Sequence, residues 1–274
     1  MLLHEHLENG ADKNPNFAFS EFEGNSLSYQ EANLLSNQLA NKLVSEGLEV
    51  GDRFAFLAKN CTEMAIMYYA ASKVGAVPVP LNYRLADQEW AYIINDSEAK
   101  LIIVKGNEYS DRINQISSEL KNVKKYISIS LDNSIEKFQD FYDWLSDSSN
   151  EKPTLKIHEN DDVYQMYTSG TTGHPKGAVL LQRNVAANIR QYLNSLTLPR
   201  PSRTLLVAPM YHAAAMINMC GCIAIGGTIV IQEDFIPQDV VDCLANEKIT
   251  HTVLVPAMIQ ACLVSCLLYT SDAA

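Results

Sequence analysis

An α/β fold of alternating strands and helices, forming largely parallel sheets flanked by helices, is predicted for this chain of 274 residues. Three observations predict it. Short apolar runs such as RFAFL, LIIV and TIVI alternate with longer amphipathic stretches, those stretches carry helix start and stop signals, and a glycine-rich polar segment follows one of the apolar runs. Strands alternating with helices of this length imply crossover connections and hence parallel pairing, with ligands at the carboxyl ends of the strands.

Each element has a local reason. Ser28 and Glu31 form a capping box, Ala32, Leu35, Leu39 and Leu43 line one helical face, and Gly47 can close that helix in the left-handed conformation. A strand is predicted over 53–57, a helix over 63–74 that stops at Gly75, an extended segment over 77–80 and a helix over 87–95. Residues 101–104 make a short buried strand. Further strands are predicted near 163–168, 178–181, 204–207, 228–231 and 252–255, with helices near 183–195, 213–225 and 237–247. The polar stretch 143–161 reads as a surface connection. The apolar run 252–268 approaches a membrane span in length, but Pro256 and Gln260 interrupt it, and a core strand followed by a helix is expected instead.

Residues 167–178 read YTSGTTGHPKGA and carry the most specific chemistry. Gly170, Gly173 and Gly177 free the backbone for positive φ and close approach, and successive N–H groups pointing inward form an anion nest. Thr168, Ser169, Thr171 and Thr172 add hydroxyls that reach phosphate oxygens or a bound Mg²⁺, Lys176 adds a mobile charge and Pro175 stiffens the approach to it. A plain polar turn is the alternative, yet a turn needs only one or two such residues. The pattern is not the Walker loop, because two residues separate Gly170 from Gly173 and Lys176 stands between Pro175 and Gly177. With strands on both sides, the loop reads as a hairpin flap to which a helix dipole contributes little.

Composition narrows the partners. The apolar share of 47 % and charged share of 19 % suit a globular protein, and a net charge of −11 argues against nonspecific nucleic-acid binding. An anionic ligand must then be attracted by local N–H groups and Lys176. Cys61, Cys220, Cys222, Cys243, Cys262 and Cys266 follow neither a disulfide framework nor metal-ligand spacing, and buried thiols are expected. The opening MLLHEHLENG has neither a basic stretch nor a long apolar one, which predicts a cytoplasmic protein without a transmembrane segment. A lone histidine such as His212 or His251 is more often structural than functional.

Residues 167–178 closely resemble the phosphate-binding signature of the adenylate-forming superfamily, which includes acyl-CoA synthetases and the adenylation domains of peptide synthetases. The likeness extends to Gly75, Ala76, Pro80 and Asn82, to APMYHAAAM at 208–216, to GGTIV at 226–230 and to THTVLVPAMIQ at 250–260. The resemblance implies the large N-terminal domain of the acyl-CoA synthetase fold. It also implies an ATP-dependent ligase that activates a carboxylic acid, by its last segment a fatty acid, as acyl-AMP and transfers it to coenzyme A. It assigns ATP and pyrophosphate binding to Thr168, Ser169, Gly170, Thr171, Thr172, Gly173, Lys176 and Gly177, and the acyl-adenylate pocket to Tyr211 and His212. Mg²⁺ enters with ATP, Thr172 being its candidate hydroxyl. His174 stands at a variable position and reads as a solvent-facing spacer, and His251 as structural. Small residues at Ala213, Ala214, Ala215 and Gly221 permit an apolar tunnel.

An adenylation domain that loads a carrier protein, and a non-catalytic ATP-binding module, are the alternatives; the segments downstream discriminate them. The family's adenine, ribose and hinge segments and its catalytic lysine have no counterpart here, so residues 1–264 are expected to be a partial N-terminal domain, inactive alone and with apolar faces exposed. Residues 265–274 are expected to be a non-native tail, since CLLYTSDAA resembles a translated sequencing adapter.

Overall fold

A computed structural model describes residues 1–130, 135–168 and 173–271. In chain order its elements are α1 (Leu3–Lys13), β1 (Ala18–Phe22), β2 (Asn25–Ser28), α2 (Tyr29–Ser45), β3 (Arg53–Leu57), α3 (Thr62–Val74), β4 (Val77–Leu81), α4 (Asp87–Asp96), β5 (Leu101–Lys105), α5 (Asn107–Ile116), β6 (Lys125–Ile129) and β7 (Phe138–Asp140). There follow α6 (Phe141–Leu145), β8 (Asp162–Thr168), β9 (Lys176–Leu181), α7 (Gln182–Ser195), β10 (Arg203–Leu206), α8 (Ala213–Ala224), β11 (Thr228–Ile231), α9 (Pro237–Asn246), β12 (His251–Thr252) and α10 (Pro256–Ser271). The chain divides into two units, one of Met1–Glu5, Asn33–Lys59 and Glu63–Ala186, the other of His6–Ala32, Asn60–Thr62 and the residues from Ala187 onward.

In the first unit a sheet of order β4-β3-β5-β6-β7 is parallel at every pairing. Strand β4 reads VPVPL, and Pro78 and Pro80 cannot donate to a ladder, which suits its place at the edge. From β3 the chain crosses through α3 to β4 on one side and returns through α4 to β5 on the other, so the winding reverses at β3. Helices α4 and α5 bury Trp90, Ile94 and Ile113 against Leu57, Val79, Leu81, Ile102 and Val104. Trp90 is fully buried, donates its indole N–H to the Asn82 carbonyl at 2.8 Å and lies 4.0 Å beneath the Arg112 guanidinium.

The expected surface connection over 143–161 opens inside a helix. Asp140 caps α6 by accepting from the N–H groups of Tyr142 and Asp143 at 2.9 and 3.1 Å, and Phe141 and Trp144 are buried. The stretch beyond is strapped to α2, where Gln38, Asn37 and Asn41 donate to the carbonyls of Leu145, Asn150, Ser149 and Glu151 at 2.8–3.0 Å. Strands β8 and β9 pair only with each other, antiparallel, as a two-stranded sheet.

The second unit has a sheet of order β12-β10-β11-β1-β2, parallel except for β2, which turns back on β1 through Glu23 and Gly24. The predicted capping box is present: the Ser28 N–H donates to Glu31 at 2.8 Å, and the Glu31 N–H to the Ser28 hydroxyl at 3.2 Å. Tyr29 follows, fully buried, edge-on to Phe19 at 5.6 Å and donating to the Gly227 carbonyl at 2.6 Å. Gly10 of α1 makes room for its ring, since a Cβ there would strike it. Arg203 reaches past β11 to hold both oxygens of Glu21, at 2.8 and 2.7 Å.

Two expectations change. The strand foreseen at 252–255 shortens to His251–Thr252, because Pro256 starts α10 and the chain must leave the sheet before it. Of the six cysteines five are buried, but Cys266 is exposed; burial pushes the Cys222 thiol up to about 12. His251 begins β12, with Nδ1 2.9 Å from the Thr250 hydroxyl and burial lowering its pKa. Val255, Ile259, Leu263 and Val264 are exposed around α10, and among the described residues no helix is long and apolar enough to cross a membrane.

Truncating Trp90 to Ala empties a packed site and orphans a carbonyl, so urea unfolding should show a loss of about 3–5 kcal/mol. The Arg203 hydrogen bond holds the Glu21 carboxyl below its ordinary 4.5. A lowered folded pKa gives stability that is complete above the unfolded value and is lost as pH falls through the folded one. Melting temperature should therefore drop on acidification below that range, and Arg203→Met should flatten this part of the profile.

Candidate functional site

Residues 167, 168 and 176–178 lie on paired strands β8 and β9, where Met166 faces Ala178, Tyr167 faces Gly177 and Thr168 faces Lys176. The hairpin form matches the sequence reading. Ser169, Gly170, Thr171 and Thr172 lie outside the described residues. Thr168, Gly173 and Lys176 are exposed, and no described residue pairs with the Lys176 charge.

The two described glycines are needed for different reasons. Gly173 has φ +139° with open space where a Cβ would stand, so the backbone angle is its requirement. At Gly177 a Cβ would strike the Gln165 amide and come within 2.9 Å of the Tyr167 ring, so close approach is the requirement. Open space beside Gly173, an exposed hydroxyl and an unpaired ammonium suit an anion of phosphate size.

The hairpin is tethered at its base. Arg53, which opens β3, donates to Gln165 at 3.2 Å and to Asp162 at 3.1 Å, and Tyr164 packs edge-on to Tyr68 of α3 at 6.0 Å. The loop leaves β8 at its carboxyl end as expected, but β8 belongs to neither five-stranded sheet, and its stem bonds the residue that begins β3. His174 also departs from a spacer. Its ring is exposed, yet it stacks on Tyr92 with centroids 4.6 Å apart and planes 18° apart.

Tyr211 and His212 belong to the other unit, in the turn from β10 to α8. Tyr211 is buried and His212 exposed, with rings 4.5 Å apart and tilted by 46°. His212 precedes α8 in extended conformation, φ −95° and ψ 143°, and its side chain makes no cap bond to the helix. Ala213 and Ala214 are exposed beside it, and Ala215 is buried. Gly221 does not open a tunnel, because the Tyr192 ring fills the space beside it; that hydroxyl donates to Asn218 at 2.7 Å and is pushed up to about 12 by burial.

Sequence reasoning missed Asn60. It is buried, accepts from the Met210 N–H at 2.8 Å and donates to the carbonyls of Ala208 and Gln232, both at 3.1 Å. One side chain thus ties the segment leading to Tyr211 and His212 to the residue after β11. A lone asparagine just past a strand was its only signal.

The profile of AMP-binding enzymes matches residues 7–272. This chain belongs to that family. It is 30 % identical over 235 residues to the long-chain-fatty-acid–CoA ligase FadD13 of Mycobacterium tuberculosis, covering 85 % of this chain and 45 % of that protein. It is 30 % identical over 239 residues to a feruloyl-CoA synthase of Amycolatopsis, covering 87 % of this chain and 45 % of that one. The inhibitor-bound crystal structure of the N-terminal domain of FACL13 from Mycobacterium tuberculosis superimposes with a TM-score of 0.86 at 27 % identity, over 95 % of this chain and 64 % of that one. The α/β architecture of this AMP-binding chain matches that domain, and the chain spans about half the length of the curated relatives it matches, 45 % for FadD13.

Asn60→Ala would leave two carbonyls and one N–H without partners in a buried site. Each orphan costs ~1–3 kcal/mol, so chemical denaturation should register a loss of at least ~2 kcal/mol. A change below about 0.5 kcal/mol, the range of ordinary surface substitutions, would show that the tie carries no load.

Proposed function

We propose that this chain is the N-terminal, phosphate-binding part of an ATP-dependent acid–thiol ligase, which activates a carboxylic acid as acyl-AMP and passes the acyl group to coenzyme A. One observation carries the reading: in an AMP-binding chain, the β8–β9 hairpin carries Thr168, Gly173, Gly177 and Lys176, and no described residue pairs with the Lys176 charge. The names of FadD13 and feruloyl-CoA synthase support an acid–CoA ligase, and the former favours a fatty acid as substrate. A cytoplasmic setting goes with ATP and CoA as substrates.

Nucleotidyl transfer relies on positioning and on neutralising charge as it develops. The carboxylate attacks the α-phosphorus, the bond to the bridging oxygen breaks and pyrophosphate leaves. In this reading Thr168, Gly173, Lys176 and Gly177, with Ser169, Gly170, Thr171 and Thr172, hold the β- and γ-phosphates as they become that leaving group. Thr172 is the candidate hydroxyl for a Mg²⁺ that would enter with ATP and would supply further neutralisation. Tyr211 gives a buried wall and His212 an exposed imidazole for the acyl adenylate. Thiolysis by CoA then releases AMP and makes no demand on the phosphate cradle.

That asymmetry is the test. In single-turnover assays on the full-length parent, Lys176→Ala should slow adenylation by about 10²–10³-fold, the effect of removing one charge-stabilising donor, and leave thioester formation from preformed acyl-AMP almost unchanged. Equal slowing of both half-reactions would remove Lys176 from the role.

A further inference from the structure

We infer that α4 is the seat of the phosphate hairpin: Asp96 holds the incoming stem through Tyr167, Tyr92 holds the outgoing stem through His174, and Lys176 is thereby set from one helix. The inference rests on the proposed phosphate role of the hairpin and adds the residues that position it.

Tyr92 and Asp96 stand four residues apart on α4 and so share a face. Asp96 Oδ2 accepts from the Tyr167 hydroxyl at 2.6 Å, and Oδ1 from the Tyr92 hydroxyl at 3.5 Å. The Tyr167 oxygen in turn accepts from the Gln165 amide at 3.1 Å, which fixes the direction of its own donation. Burial, and then the hydrogen bond to Asp96, push the Tyr167 pKa well above the usual phenol value, so the hydroxyl stays a donor throughout the physiological range. On the other stem, the nearly coplanar stack of His174 on Tyr92 is the only described ring contact of the segment between Gly173 and Lys176.

The seat is rigid, and two of the four arms are exposed. Trp90, Ile93 and Ile94 sink α4 into the sheet, and Glu89 accepts from the Ala86 N–H at 2.9 Å at its start, whereas Asp96 and His174 are exposed. Tyr92 and Tyr167 are half-buried against the same core, and the bond to Asp96 and the stack with His174 add direction to that packing. They hold a surface hairpin by its two stems, one residue before Thr168 and two residues before Lys176. Arrangements that fix a charge within a fraction of an ångström use rigid elements in this manner. Asp96, Tyr92, Tyr167 and His174 are positioning residues and need not touch the ligand.

Hydrogen exchange on the whole chain tests the seat without any ligand. Tyr167→Phe and Tyr92→Leu should each raise exchange at the β9 amides of Gly177 and Ala178 by about tenfold, the effect of losing one hydrogen bond or contact. Tyr92→Phe, which keeps the ring, should stay near wild type, and amides of β3 and β5 should stay protected in all three. Unchanged β9 exchange in Tyr167→Phe and Tyr92→Leu overturns the inference, as does loss of protection throughout the sheet. Titration with inorganic pyrophosphate separates it from the reading beneath. Weaker binding in Tyr167→Phe and Tyr92→Leu, restored in Tyr92→Phe, supports both. A wild-type chain that binds no pyrophosphate while these variants loosen β9 removes the phosphate role and leaves the seat standing. Binding lost in Lys176→Ala with β9 unmoved in the α4 variants keeps the phosphate role and removes the seat.

Discussion

At one rung of the β8–β9 ladder two neighbouring side chains come closer to the facing residue than a Cβ there would allow. Gly177 faces Tyr167, and the Gln165 amide and the Tyr167 ring occupy the space a Cβ would take. The rest of the hairpin depends on this approach. Because Gly177 has no side chain, Tyr167 can lie against β9 with its hydroxyl turned to Asp96, and Gln165 can serve Tyr167 with one end while accepting from Arg53 with the other. The exposed tip therefore stands on a base tied to β3 and α4, and its charge inherits the order of that base.

Electrostatics makes the same hairpin selective about partners. With a net charge of −11 the protein as a whole repels anions, so attraction must be local. Several cations elsewhere in this unit are engaged with carboxylates: Lys100 with Asp52 at 2.6 Å, Lys105 with Glu63 at 3.0 Å and Arg112 with Asp87 at 2.6 Å. A cation paired in this way has less charge to offer a ligand. Lys176 is exposed and has no such carboxylate among the described residues, which is what an ammonium kept for a bound anion requires.

Much of the architecture could be read from the sequence because the signals were local. The capping box at Ser28 and Glu31, the strands of β3 and β11 and the helices α3, α4 and α8 follow from periodicity, caps and glycine stops. What escaped was locally ambiguous. Helix α1 carries Gly10 in its interior, explained only by the Tyr29 ring that packs on it. The β1–β2 hairpin offered only a two-residue Glu-Gly turn between short runs, and α6 was hidden in a polar stretch until Asp140 capped it. That β8 and β9 form a separate sheet is a matter of pairing, which alternation of apolar residues does not specify.

The site divides along the same line. By itself the sequence determined the inventory of the hairpin, its glycines, hydroxyls and lysine, because those residue types are demanded by the backbone and charge of a phosphate cradle and are contiguous in the chain. It also marked His212, through the residues around it. Only the tertiary structure decided that Asn60 braces the approach to His212, that Gly221 receives the Tyr192 ring, and that His174 stacks on Tyr92 beside the Asp96–Tyr167 bond. These contacts join residues far apart in the chain, and a side chain's partner across such a distance is set by packing and register, which no local pattern of residues encodes.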